Sequence, residues 1–100
     1  MPSVHKKKTF ETLQEQVKRW SGRELKAHSR NDGLHGDGYQ RRNPFSGAEA
    51  NLDHKEAAVY DLIIKIEMEE WPNKNDVKVF DMMRYWFMEH NSDAYMTLLD

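Results

Sequence analysis

The sequence predicts a small all-α domain, and three observations carry that expectation. Apolar residues recur at three- and four-residue intervals in separate stretches, each entered through a residue able to cap a helix. No run alternates apolar and polar residues in the manner of a half-buried strand. Four of the five glycines fall in "HSRNDGLHGDGYQRRNPFSG", residues 28–47, which confines the turn-forming chemistry to one place. The expected architecture is two main antiparallel helices, over 53–70 and 76–90, closed by a short C-terminal helix. A long Gly-rich loop joins them to an N-terminal helix over 9–21. Residues 1–8 then form a basic flexible tail, 9–27 the N-terminal helical segment, 28–51 a Gly/Arg-rich connector and 52–100 a compact helical domain.

In the first helix Thr9 is the expected N-cap, and Phe10, Leu13, Val17 and Trp20 share one face. Gly22 ends or bends it, and "RELKAH" offers a further helical turn. The single narrow apolar stripe needs a surface to lie on, because isolated helices of this length rarely persist in water. This helix is therefore expected either to pack on the C-terminal unit or to be held by a partner. In the connector Gly33, Gly36 and Gly38 favour turns and Pro44 excludes a helix interior or regular ladder. "NPFSG" is expected to turn at Phe45 and dock that ring on the domain.

The second half is more explicit. Asp53 and Glu56 have capping-box spacing, and Leu52 is placed to pack back on the first turn. Val59, Tyr60, Leu62, Ile63, Ile66 and Met68 make a broad apolar surface that Pro72 terminates. Asn75 or Asp76 is the expected cap of the next helix, whose Val79, Phe80, Met83, Trp86 and Phe87 share a face. Met82, Tyr85 and Met88 widen that arc beyond what one neighbouring helix covers. Ser92 is the expected cap of the terminal segment, anchored by Tyr95, Met96, Leu98 and Leu99 and expected to dock.

Composition narrows the function. One hundred residues suit one small domain, and the absence of cysteine removes disulfides, thiolate metal sites and cysteine nucleophiles. No apolar run approaches the roughly 20 residues of a membrane span, and the N-terminal lysines lack the apolar segment of a secretory signal. The net charge of −2 hides a split. Residues 1–50 hold ten Lys/Arg against six Asp/Glu, whereas 51–100 hold five against eleven. Such halves attract each other within a chain or between chains, so a homo-oligomer is an expected partner arrangement.

Several motifs suggest chemistry without completing it. His28, His35 and His54 with Asp32 and Asp37 are metal-type donors, but their spacing matches no site that fixes ligands on one helical face. A metal-dependent nuclease of the His–Asn–His kind would use His54, Asn75 and His90, but such sites need a hairpin ahead of a helix. His90 itself falls on an apolar helix face, as a packed core histidine does. Glu67, Glu69 and Glu70 lie in the last helical turns and read as a solvated face, with no histidine beside them. "GLHGDG" lacks the strand, helix and lysine of a phosphate-binding loop. No catalytic residue, cofactor or metal is expected.

At "RRNPFSGAEANLDHKEAAVYDLI" and again at the terminal "AYMTLLD" the chain resembles small uncharacterised proteins of tailed bacteriophages. The resemblance covers mainly residues 41–68 and 94–100, and it is a pattern of turn and core residues. It implies a phage origin, a place in the host cytoplasm or the virion, and a helical C-terminal part. It implies no activity.

The favoured expectation is a non-enzymatic protein that binds a host or phage protein, as a host-factor modulator or part of a phage assembly. Trp20, Tyr39, Arg41, Arg42, Tyr85 and Met88 are the contact candidates, since methionine, aromatics and arginine suit partner surfaces. The alternative is nucleic-acid binding through Lys6, Lys7, Lys8, Lys18, Arg19, Arg23, Arg30, Arg41 and Arg42, with affinity falling steeply as salt rises. No membrane partner is expected.

Overall fold

Helix α1 (Phe10–Ser21) opens at Thr9, whose hydroxyl accepts from the Thr12 amide, and closes at Gly22 in the left-handed conformation, φ 74°. Phe10, Leu13 and Val17 are buried on its inner face. The computed structural model describes residues 7–29 and 38–99 of the chain. Lys6, Arg30, Asp32, His35 and Asp37 lie outside the described residues, as do most of the basic tail and the glycine-rich first part of the connector.

The chain after Gly22 does not add the further helical turn offered by "RELKAH". Residues 22–29 have no regular structure, because Leu25 drops into the core and the backbone finds partners elsewhere. Gln14 Nε2 donates to the Leu25 carbonyl at 2.6 Å, and the His28 amide donates to the His54 carbonyl at 3.1 Å.

The connector holds a hairpin, so the fold is mostly helical with a small sheet rather than purely α. Strands β1 (Tyr39–Arg42) and β2 (Glu49–Leu52) pair antiparallel, with Tyr39 opposite Leu52 and Arg42 opposite Glu49. Their alternation has only two inward positions per strand, and on β1 one of these is Arg41. Asn43 organises the turn between them. Its Oδ1 accepts from the Phe45 and Ser46 amides, and its Nδ2 donates to the Thr97 carbonyl at 3.0 Å. Asn43 is therefore the buried anchor of "NPFSG". Phe45 does not dock: it is 89% exposed at the tip.

Helix α2 (His54–Glu67) carries the expected capping box of Asp53 and Glu56, and Leu52 before it is buried. The helix stops at Glu67, short of residue 70, so Met68 leaves the apolar stripe expected of it and stands in solvent. Helix α3 (Lys74–His90) starts one residue after its true cap, Asn73. Asn73 Oδ1 accepts from the Asp76 amide while Asp76 Oδ2 accepts from the Asn73 amide. Asp76 thus occupies the third helical position of a capping box, and neither Asn75 nor Asp76 is the cap. Helix α4 (Ser92–Leu98) is capped by Asn91, not Ser92. Asn91 Oδ1 accepts from the Ala94 amide and its Nδ2 donates to Glu56, tying α4 to the start of α2. Ala94 and Leu98 are the buried anchors of α4, and Met96 is exposed.

The core draws on every part of the described chain. Leu13 of α1, Leu25 of the connection, Ile63 of α2 and Met83 and Phe87 of α3 are fully buried together, and α1 packs on α3. Each such side chain contributes roughly 1.5–3 kcal/mol by leaving water. Phe10 meets Trp86 edge-on at 6.0 Å between ring centroids. His90 is exposed rather than packed in the core, and covers Trp86 from outside by stacking at 4.1 Å. No helix among the described residues is long and apolar enough to cross a membrane.

Candidate protein-binding surface

The corner between α2 and α3 is built by one arginine. Arg23 reaches from the connection after α1 and donates through Nε to Asp76 Oδ1 at 2.9 Å and through Nη2 to Glu69 Oε2 at 2.5 Å. Asp76 is buried, and the Arg23 hydrogen bond, aided by the Asn73 amide and opposed by burial, holds its carboxyl below the usual carboxylate range. The same two carboxylates raise Arg23 above the usual guanidinium value. One cation therefore fastens the turn on both sides: Glu69 just after α2 and Asp76 in the first turn of α3. Arg23 is spent on this internal role, although its charge made it a nucleic-acid candidate.

The fastened turn presents apolar side chains to solvent. Met68 is 71% exposed, Trp71 88% and Val77 49%. Beside them lies a groove of about 270 Å³ lined by Ile66, Glu67, Pro72, Val77, Phe80 and Asp81. Asp81 also lines a shallower hollow of about 170 Å³ with Arg84, Tyr85, Met88 and Tyr95. Val77, Asp81, Arg84 and Met88 recur at helical spacing, so the two hollows follow one stripe of α3. Tyr85 and Met88, both expected as contact residues, are exposed on it. Arg84 is turned toward α4, donating to the Tyr95 hydroxyl at 2.8 Å.

The other expected contact residues lie in different settings. The Lys78 ammonium sits 3.3 Å from the centre of the Trp20 ring, a cation–π contact between α1 and α3. Arg41 grips Asp61 with both ends of its guanidinium, Nε to Oδ1 and Nη2 to Oδ2, each at 2.8 Å. His28 Nε2 lies 2.8 Å from Asp61 Oδ2, and Arg41 and His28 both flank the Tyr39 ring. The Tyr39 hydroxyl donates to the Ser29 carbonyl. Burial pushes the Asp61 carboxyl up, but the hydrogen bonds from Arg41 and His28 outweigh it and leave the carboxyl below its ordinary range. This network fastens the hairpin to α2, so Tyr39 and Arg41 act within the fold. Arg42 remains exposed, with Nε donating to the Gly47 carbonyl at 3.3 Å.

The remaining basic candidates among the described residues have partners or settings of their own. Arg19 pairs with Glu15 at 3.0 Å, and Lys8 donates to Gln16 at 2.5 Å. Lys18 lines a hollow with Glu11, Glu15 and Glu24. Lys7 is exposed. Asn75 and His90 stand near opposite ends of α3, about 22 Å apart at 1.5 Å per residue, so the His–Asn–His trio is not assembled. Among the described residues no three His, Asp or Glu side chains gather as metal ligands. Of the acidic run, Glu69 is the Arg23 partner while Glu67 and Glu70 are exposed.

Met68, Trp71 and Val77 are not among the expected contact residues, and Met68 is expected in the α2 stripe; a tryptophan directly before the proline that follows a helix is the signal the sequence offers. Compared with known proteins, no protein family, no curated protein and no solved structure matches the chain.

Proposed function

We propose that the chain is a small non-enzymatic bacteriophage protein that works by binding another protein. It acts either as a modulator of a host factor or as a component of a phage assembly, in the host cytoplasm or the virion. The phage assignment rests on the residue pattern at 41–68 and 94–100. The binding assignment rests on one observation: Met68 and Trp71, next in sequence to the groove residues Glu67 and Pro72, stand in solvent together with Val77, which lines that groove, instead of entering the core. Adjacent large apolar side chains left in water mark a surface that another molecule covers. Methionine and tryptophan suit such a role, the first by adapting its shape and the second as a rigid anchor.

The test is recovery of partners by the tagged full chain after nuclease treatment, compared with a Met68→Ser/Trp71→Ser variant. Both positions are exposed, so the variant should keep its stability within about 0.5 kcal/mol. A protein retained at high salt by the native chain and lost by the folded variant is the expected result. Equal retention by both, or recovery of nucleic acid alone, overturns the reading.

A further inference from the structure

We propose that the groove between the end of α2 and the start of α3 receives a basic amphipathic helix of the partner protein, an inference that rests on the protein-binding reading above. The floor is apolar: Ile66 is buried, Phe80 is partly buried and packs on the core, and Pro72 and Val77 complete the lining. Two carboxylates stand over it, Glu67 from α2 and Asp81 from α3. Both are exposed, and neither forms an ion pair among the described residues. That sets them apart from Glu11, Glu15, Asp61, Glu69 and Asp76, each of which has a cationic or histidine partner. Glu70, also exposed, adds a negative charge three residues beyond Glu67.

The nearby cations form no ion pair with Glu67 or Asp81 among the described residues. Lys78 lies on Trp20, Arg84 is drawn to Tyr95, and Lys65 and Lys74 do not line the groove. An apolar floor beneath unpaired carboxylates repels an acidic partner and complements one that alternates apolar anchors with lysine or arginine. The shape selects a helix. Both walls are helical and offer no strand edge, whereas the α3 stripe from Val77 to Met88 runs about 16 Å at 1.5 Å per residue. That length accommodates three turns of a partner helix with apolar anchors at i, i+4 and i+7.

The test uses two labelled helical peptides of identical pattern, one of leucine and lysine, the other of leucine and glutamate. Each is titrated into the full chain by fluorescence anisotropy, and the contact is located by backbone amide shifts. The expected result is at least about tenfold tighter binding of the Leu/Lys peptide, with shifts concentrated over residues 66–88. Glu67→Lys with Asp81→Lys should reverse the preference. Glu24→Lys with Asp93→Lys, the same charge change on exposed sites elsewhere, should retain it. Should the reversed chain fold poorly, Glu67→Gln with Asp81→Asn replaces it and should abolish the preference.

Equal affinity for both peptides, shifts elsewhere, or a preference indifferent to Glu67 and Asp81 overturns the proposal. Self-association abolished by the same reversal would assign the groove to a second copy, and also overturns it. If Met68→Ser/Trp71→Ser loses the recovered partner while Glu67→Lys/Asp81→Lys keeps it, protein binding stands and the basic-helix inference falls. If neither variant changes recovery, both fall.

Discussion

Replacing Arg23 with methionine should destabilise this protein more than any other single change of a surface-reaching charge. Methionine keeps much of the aliphatic stem but removes two charge-assisted hydrogen bonds, at 2.9 Å to Asp76 and 2.5 Å to Glu69. Each bond of that kind is worth about 1.5–3 kcal/mol, and the Glu69 bond belongs at the low end because its side chain is 32% exposed. The Asp76 side chain, 8% exposed, would be left with the Asn73 amide but no counter-charge. The expected loss is about 3–4 kcal/mol, within the range for removing one member of a buried pair. For a chain of this size that lowers Tm by about 12–20 °C.

Urea unfolding followed by far-UV circular dichroism at pH 7 reads the loss directly. A double-mutant cycle with Asp76→Asn should return a coupling of about 2 kcal/mol. A loss under about 1 kcal/mol together with an additive cycle would show that Arg23 does not hold the α2–α3 corner.

The remaining predictions concern the turn residues and acid. Gly22→Ala should cost about 1–1.5 kcal/mol from backbone strain alone, since a β-carbon there meets nothing within 4 Å at φ 74°; thermal unfolding measures it. Asn43→Ala should cost about 1–2 kcal/mol by cutting the turn from the Thr97 carbonyl, whereas Phe45→Ser should stay within about 0.5 kcal/mol. Asp61 and Asp76 have lowered pKa values in the folded chain, so their contribution is complete above the unfolded value of about 3.9 and disappears as pH falls through the folded values. Urea midpoints should therefore drop below about pH 4, and less steeply in Arg23→Met than in the native chain.

Helix positions were legible because caps and apolar spacing are local signals. Thr9, Asp53 and Gly22 each act where the sequence places them. The cap of α3 was misplaced because "PNKND" offers three Asn/Asp oxygens in four residues, and only the reciprocal bond between Asn73 and Asp76 selects among them. The hairpin was hidden for a different reason. Arg41 is an inward residue of β1 only because Asp61 on α2 receives its charge. Aromatic character points to Phe45 as the anchor of the turn, but the hydrogen-bonding capacity of Asn43 supplies it.

The exposed apolar side chains were half legible. The exposure of Tyr85 and Met88 follows from an α3 that carries more apolar width than its neighbours cover. Met68 was not legible as exposed, since it extends the α2 stripe in register, and its exposure follows from a helix end at Glu67 beside a turn held by Arg23, far away in sequence. Trp71 owes its exposure to the same turn.

We propose above that Met68 and Trp71 carry binding to a protein partner. The most direct test is titration of the recovered, purified partner against the native chain and against folded Met68→Ser/Trp71→Ser. Anchors of this kind contribute about 2 kcal/mol or more, so a Kd weaker by at least roughly 30-fold is expected for the variant at unchanged Tm. An unchanged Kd at unchanged Tm would contradict it and place the binding surface elsewhere on the molecule.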